Sequence, residues 1–137
     1  MNILFMCVAN AARSQMAEGL ARQIFAGRAE IQSAGSKPKE VHPLAKKVLE
    51  EVHIDISGHF SKSCDQLPEN FTQNLDYLIT LCADEVCPVT RFTSAKKLHW
   101  PLKDPASSAF SDLEQLQAFR FTRDEIQKKL MAFAKTI

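Results

Sequence analysis

Asn2-Ile-Leu-Phe-Met-Cys7-Val-Ala-Asn10-Ala-Ala-Arg13-Ser14-Gln-Met-Ala-Glu18 is the stretch on which the reading of the fold turns. Asn2 to Val8 is short, apolar and bounded by polar turn material, the pattern of a buried strand. From Ser14 the period changes, and Met16, Ala17, Leu20, Ala21 and Ile24 fall on one face of a helix. A strand that runs through a short loop into a helix places the loop at the helix N-terminus. There the unpaired N–H groups and the positive end of the dipole favour an anion. The same field lowers the pKa of a thiol held inside it, which makes Cys7 a candidate nucleophile. Five residues separate Cys7 from Arg13, a spacing that lets a thiolate and a guanidinium face one oxyanion. Read singly, Cys7 is equally a buried strand-end cysteine and Arg13 a solvated helix-start residue.

Outward from this stretch, Ala29 to Gly35 reads as a second strand ending at a glycine turn. Joined to the first through one helix, it makes a right-handed βαβ unit with parallel pairing. His42-Pro43 opens another helix, with Leu44, Ala45, Val48, Leu49 and Val52 on its buried face, and Ile54 to Gly58 ends it. Phe60 to Asn74 is polar and interrupted by Pro68, so a loop with a helical turn or two is expected. Leu75 to Leu81 suits a central strand and delivers Cys82 to the sheet edge that receives Cys7. Parallel α/β sheets bind ligands at that edge. Lys97 to Trp100 is a fourth short strand, leading into Asp104-Pro105 at the same edge. Ser111-Asp-Leu-Glu114 has the form of a capping box, and Leu116, Phe119, Ile126, Leu130 and Phe133 share a face behind it. A second cap at Thr122-x-x-Glu125 leaves open one long helix or two. The alternation predicts an α/β fold of three layers, a four-stranded parallel sheet flanked by helices, as one domain over residues 1–137.

A chain of 137 residues with 45% hydrophobic content fits one core. Seventeen basic against sixteen acidic residues leave no electrostatic footprint for nucleic acid or an anionic membrane. A small-molecule substrate or a transient protein partner fits better, and a monomer is expected. No charged segment and apolar stretch precede the first strand, and no apolar run approaches about 18 residues, so the expected compartment is the cytoplasm. The cysteines at 7, 64, 82 and 87 should there stay reduced or cycle. A metal is not expected, because the 82/87 pair has no matching pair elsewhere for a zinc site.

Cys7-Val-Ala-Asn-Ala-Ala-Arg13-Ser14, followed by Gln15-Met16-Ala17-Glu18-Gly19, resembles the phosphate-binding loop of low-molecular-weight protein tyrosine phosphatases and of the arsenate reductases that share their fold. Ala9 stands where such loops often carry glycine, and Ala12 where some carry a second cysteine. The resemblance implies an oxyanion held by the loop residues Val8, Ala9, Asn10, Ala11, Ala12, Arg13 and Ser14. Cys7 attacks it, and Arg13 supplies a bidentate fork. Ser14 can donate to the thiolate, and Asn10 suits the left-handed conformation of a tight anion-binding loop, although turn and helix-start chemistry explains both equally well. Asp104 matches the general-acid position, an Asp-Pro turn being the bland alternative.

The resemblance extends to Thr80-Leu81-Cys82-Ala83-Asp84, Cys87-Pro88, His99-Trp100 and Asp104-Pro105, which points to the thioredoxin-coupled arsenate reductases. It implies that Cys82 attacks Cys7 and that Cys87 then attacks Cys82, carrying a disulfide outward to thioredoxin. If Ala83 to Val86 continue as a helical turn, that second disulfide requires the segment to unwind. Ala106-Ser107 stands where the phosphatases place aromatic residues against phosphotyrosine. No cofactor is required, but some relatives bind a potassium ion, for which Asn10, Glu18, Ser33 and Asp65 are the matching residues. Cys64 reads as structural. The expected function is reduction of arsenate through thioredoxin, with phosphate-monoester hydrolysis as the enzymatic alternative and an oxyanion- or thiol-sensing module as the non-enzymatic one.

Overall fold

The computed structural model describes residues 1–82 and 94–137. Cys87 and the expected unwinding after Cys82 lie outside the described residues. The elements are β1 (Asn2–Cys7), α1 (Arg13–Phe25), β2 (Glu30–Gly35), α2 (Pro43–Glu50), a 3-10 turn (Cys64–Gln66), α3 (Glu69–Gln73), β3 (Tyr77–Cys82), β4 (Lys96–Leu102) and α4 (Asp112–Ala134). The four strands pair in parallel in the order β2-β1-β3-β4.

Strand alternation divides the core. Ile3 and Phe5 of β1 and Ile79 and Leu81 of β3 pack with Met16, Leu20 and Phe25 of α1, Val48 and Leu49 of α2, and Phe119, Ile126 and Leu130 of α4. Leu4, Met6 and Leu78 belong to a second cluster with Leu67, Phe71 and Leu75. Helices α1, α2 and α4 therefore cover one face of the sheet, and the segment around α3 covers the other, which is the three-layer arrangement expected.

The differences from the expected boundaries have local causes. Val8 leaves β1 for the loop, while α1 begins at Arg13, the expected helix start. Helix α2 stops at Glu50, because His53 takes a left-handed conformation (φ 65°) and Ile54 N–H closes onto Leu49 O at 2.9 Å. Val52 is thus half-buried in the turn, and Ile56 supplies the next buried side chain. Strand β4 is longer than expected and includes Pro101, which an edge strand tolerates. α4 is one continuous helix, opened by the reciprocal Ser111–Glu114 capping box. Thr122 is no cap, since it lies buried in register with Phe119, Ile126 and Leu130. Phe133, near the end of α4, meets Phe25, Tyr77 and Trp100 edge-on and ties the helix to the sheet. Among the described residues no helix is long and apolar enough to cross a membrane.

Candidate active site

Cys7 ends β1 with 2% of its surface exposed, and its Sγ lies 2.9 Å from Ser14 Oγ. The loop between them is held on both sides. The carbonyls of Val8, Ala9 and Ala11 accept the N–H groups of Lys37, Lys39 and His42, each at 2.9 Å. A trans peptide sets N–H opposite C=O, so the amides of Ala9 and Ala12 turn away from that flanking segment. Gly35 is the register partner of Cys7, and a Cβ there would stand 2.5 Å from Val8 O and 2.9 Å from both Asn10 N and Cys7 O. Only glycine permits this approach, and the reason is crowding by backbone atoms.

Asn10 takes the left-handed conformation (φ 49°) and is fully buried. Its Nδ2 donates to Ser14 Oγ at 2.7 Å and to Ser33 Oγ at 3.0 Å. Its Oδ1 accepts Lys62 N–H at 3.0 Å and Gln15 Nε2 at 3.1 Å, and its carbonyl accepts Ser61 Oγ–H at 2.6 Å. Because Asn10 can only donate through Nδ2, Ser14 Oγ accepts there and keeps its own hydrogen for Cys7. Ser33 Oγ in turn donates to Glu18 Oε1 at 2.6 Å. A directed relay therefore runs from the Glu18 carboxylate through Ser33, Asn10 and Ser14 to the Cys7 sulfur.

Glu18 is itself surrounded by basic groups. Arg22 Nη2 lies 3.0 Å and His59 Nε2 3.6 Å from Oε2, and Lys62 Nζ lies 3.7 Å from Oε1. Burial pushes His59 and Lys62 below their ordinary values, and the Glu18 charge opposes that push at both. Of the residues matched to a potassium ion, Asn10, Ser33 and Glu18 are linked by hydrogen bonds, and Asp65 lies in the 3-10 turn; Lys62, just before that turn, reaches Glu18. The donor set does not suit a hard cation. Asn10 Oδ1 already accepts two N–H groups, Ser33 Oγ accepts Asn10 Nδ2, and an ammonium stands beside Oε1.

Arg13 is buried, and its Nη1 donates to Leu102 O at 2.9 Å and to Leu81 O at 3.5 Å. One edge of the guanidinium is thus committed to the ends of β4 and β3. Cys82 ends β3 with 1% exposure and is disulfide-bonded, whereas Cys7 and Cys64 are thiols outside any disulfide. The pairing of Met6 with Thr80 sets Cys82 at the same carboxyl edge as Cys7. Asp104 follows β4 at that edge, exposed, its Oδ1 accepting Ala106 N–H at 3.0 Å. Asp104 thus forms the Asp-Pro turn, at the sheet edge that receives Cys7. His42 accepts Leu44 N–H through Nδ1 at 3.1 Å, capping α2, and its ring packs on Phe119 at 4.7 Å. Burial holds its pKa below the ordinary value, and the Asp104 charge acts against that shift. Cys64 packs on Met6, 3.8 Å from its sulfur, which fits a structural role.

A thiol at a strand end, inside an anion-binding loop that opens a helix, defines a thiol-based oxyanion enzyme of the α/β class. The chain belongs to the low molecular weight phosphotyrosine protein phosphatase family, whose sequence profile matches residues 2–137. It is similar to an arsenate reductase of Halalkalibacterium halodurans, with 39% identity covering 98% of this chain and 95% of that one. An arsenate reductase of Bacillus subtilis is 38% identical over the same shares. A solved arsenate reductase in a phosphate-binding state superposes with a TM-score of 0.84 at 32% identity, covering 100% of this chain and 99% of that one. A thioredoxin-dependent arsenate reductase of Corynebacterium glutamicum matches with a TM-score of 0.75 at 30% identity, over 98% of this chain and 60% of that one.

Proposed function

We propose that the protein reduces arsenate to arsenite at Cys7 and is recycled by thioredoxin. The observation that carries this reading is the placement of two cysteines, Cys7 and Cys82, at one carboxyl edge of the sheet, the first in an oxyanion loop. The Cys7 thiolate attacks arsenic with loss of water, and the loop amides, Arg13 and Ser14 hold the oxyanion. Cys82, disulfide-bonded in this structure, must first be reduced by the thioredoxin dithiol, and its thiol then attacks Cys7 Sγ. Arsenite departs with two electrons, and a Cys7–Cys82 disulfide remains. Attack by Cys87 on Cys82 frees Cys7 as a thiol and leaves a disulfide for the thioredoxin dithiol to reduce. The chain acts as a cytoplasmic monomer in this reading, a compartment that supplies the reductant.

The test is arsenate-dependent NADPH oxidation coupled to thioredoxin and its reductase, with a parallel arm of glutathione and glutaredoxin. Activity in the thioredoxin arm is expected, and turnover in the glutaredoxin arm alone would assign a different reductant. Cys82→Ser and Cys87→Ser should each stop arsenate turnover while sparing slow hydrolysis of a small aryl phosphate. Arsenate turnover at the parent rate in both variants would rule out the three-thiol route.

Hydrolysis is the second reading, favoured by the position of Asp104 beside the same loop. It needs only Cys7, Arg13 and Asp104. Ala106 and Ser107 offer no aromatic wall, so it should proceed without preference for an aryl group.

A further inference from the structure

We infer that Lys62 is a positioning residue of this site: its ammonium is a built-in cation for Glu18, and the Ser33–Asn10–Ser14 relay that orients the Cys7 sulfur needs no bound metal ion.

Lys62 holds the relay at two points. Its backbone N–H fixes Asn10 Oδ1 at 3.0 Å, which orients the amide so that Nδ2 faces Ser14 and Ser33. Its Nζ stands 3.7 Å from Glu18 Oε1, the oxygen that receives the Ser33 hydroxyl. Lys62 O also accepts Gly35 N–H at 2.9 Å, beside Cys7. Both charged side chains are buried, Lys62 at 8% and Glu18 at 4% exposure. Arg22 also reaches Glu18, but from a side chain 49% exposed, where solvent screens it more strongly. His59 adds a ring nitrogen at 3.6 Å, and the face of Phe60 covers the ammonium at 5.2 Å.

The consequence reaches the sulfur through direction. An anionic Glu18 makes Ser33 a donor, so Ser33 oxygen accepts from Asn10. The second Asn10 hydrogen then leaves Ser14 free to donate to Cys7. Removing the ammonium takes away the buried cation beside Glu18 Oε1, the oxygen that receives the Ser33 hydroxyl, and lets Glu18, Ser33 and Asn10 reorient. Ser14 then loses its fixed direction, and the Cys7 thiolate loses a donor.

The inference rests on Cys7 being the reacting thiol, but its readouts do not require arsenate turnover, so either reading can fail without the other. The rate of Cys7 alkylation by iodoacetamide, followed by peptide mass mapping, is measured across pH 5 to 8 for the parent and for Lys62→Met. The melting temperature of the parent is compared in KCl, NaCl and choline chloride at equal ionic strength. We expect Lys62→Met to alkylate about three- to tenfold more slowly near pH 6, with the profile displaced to higher pH. The parent should melt and alkylate alike in the three salts. A folded Lys62→Met protein with the parent's alkylation profile would overturn the inference. So would a parent whose melting temperature or alkylation rate responds to potassium over sodium and choline, a measurement that stands even if the variant does not fold.

Discussion

Two connections meet at the carboxyl edge of the sheet and are built in opposite ways. The loop from Cys7 to Ser14 is largely buried and fastened by backbone bonds to residues 37, 39 and 42, by the side chains of Ser33 and Ser61 and by the backbone N–H of Lys62. The connection after β4 that carries Asp104 is largely exposed, and the Asp104 carboxylate bonds only two residues along its own turn. The difference fits the chemistry proposed for each. A thiolate and its oxyanion cradle must be organised before substrate arrives, and reorganisation during reaction would raise the barrier. A proton donor to a departing oxygen can approach from a mobile, solvated position, where protons exchange freely.

If this contrast holds, the largest effect belongs to Cys7→Ser. Arsenate reduction and aryl phosphate hydrolysis should fall together by roughly 10⁴-fold or more, as when a nucleophile is removed from a site whose other parts stay intact. The melting temperature should change little. Survival of either activity would remove Cys7 from its role.

Gly35→Ala comes next and tests the rigidity of the loop. The added Cβ would meet three backbone atoms that no rotamer change can relieve. A loss of about 2–3 kcal/mol is expected, in the range of substitutions that strain a packed backbone. Phosphate binding, followed by calorimetry, should weaken in parallel. An unaltered melting temperature would mean that the loop yields, and the contrast between the two connections would be much weaker.

Asp104→Asn sharpens the other half. Stability should stay within about 0.5 kcal/mol of the parent, as for surface positions. Hydrolysis of an aryl phosphate should slow by about 10²-fold, the lower end of what a positioned acid contributes. His42 supplies an independent readout, because the Asp104 charge raises its pKa against the effect of burial. In Asp104→Asn the His42 ring should titrate at lower pH than in the parent, measured from its carbon-bound protons by NMR. An unmoved titration would place the carboxylate too far from the ring, and from the site, to serve.

What the sequence made legible follows the same division. Loop, helix start, capping box and strand ends each depend on residues within a few positions of one another, and these were found to within one or two residues. Asn10 was read correctly for its left-handed backbone, but its five side-chain and carbonyl partners come from residues 14 to 62. Gly35 looked like a turn glycine, and only the register of β2 against β1 shows that it makes room for the loop. Lys62 sits in a polar stretch without periodicity, 44 positions from Glu18, and no local pattern distinguishes it from a solvated lysine. Asp65 is matched to that cluster only through the resemblance, and Lys62, three positions before it, is the residue whose ammonium stands 3.7 Å from Glu18 Oε1.

The smallest effect lies behind the site, where Glu51 after α2 meets α4. Arg120 Nη2 approaches Glu51 Oε2 at 2.6 Å and Arg123 Nη1 approaches Oε1 at 2.8 Å, while Arg123 also donates to Val48 O at 2.8 Å. The Arg120 hydrogen bond, aided by Arg123, pulls the Glu51 pKa from 4.5 down to about 2. A folded-state pKa below the unfolded one means that the pair stabilises the protein above about pH 4.5, and that this contribution disappears as pH falls towards 2. The Glu51 side chain is 30% exposed and Arg120 is 41% exposed, so solvent screening limits the gain to about 1 kcal/mol or less. Glu51→Gln should therefore melt about 1–4 °C below the parent at pH 7 and low salt. The gap should narrow in 0.5 M salt and shrink progressively as pH falls from about 4.5 towards 2, and neither arsenate turnover nor Cys7 alkylation should change. A gap that stays constant from pH 7 to pH 3 would show that Glu51 acts through packing instead of charge. A change in Cys7 reactivity would show that the α2–α4 contact bears on the loop, and that the buried connection extends further through the fold than its hydrogen bonds indicate.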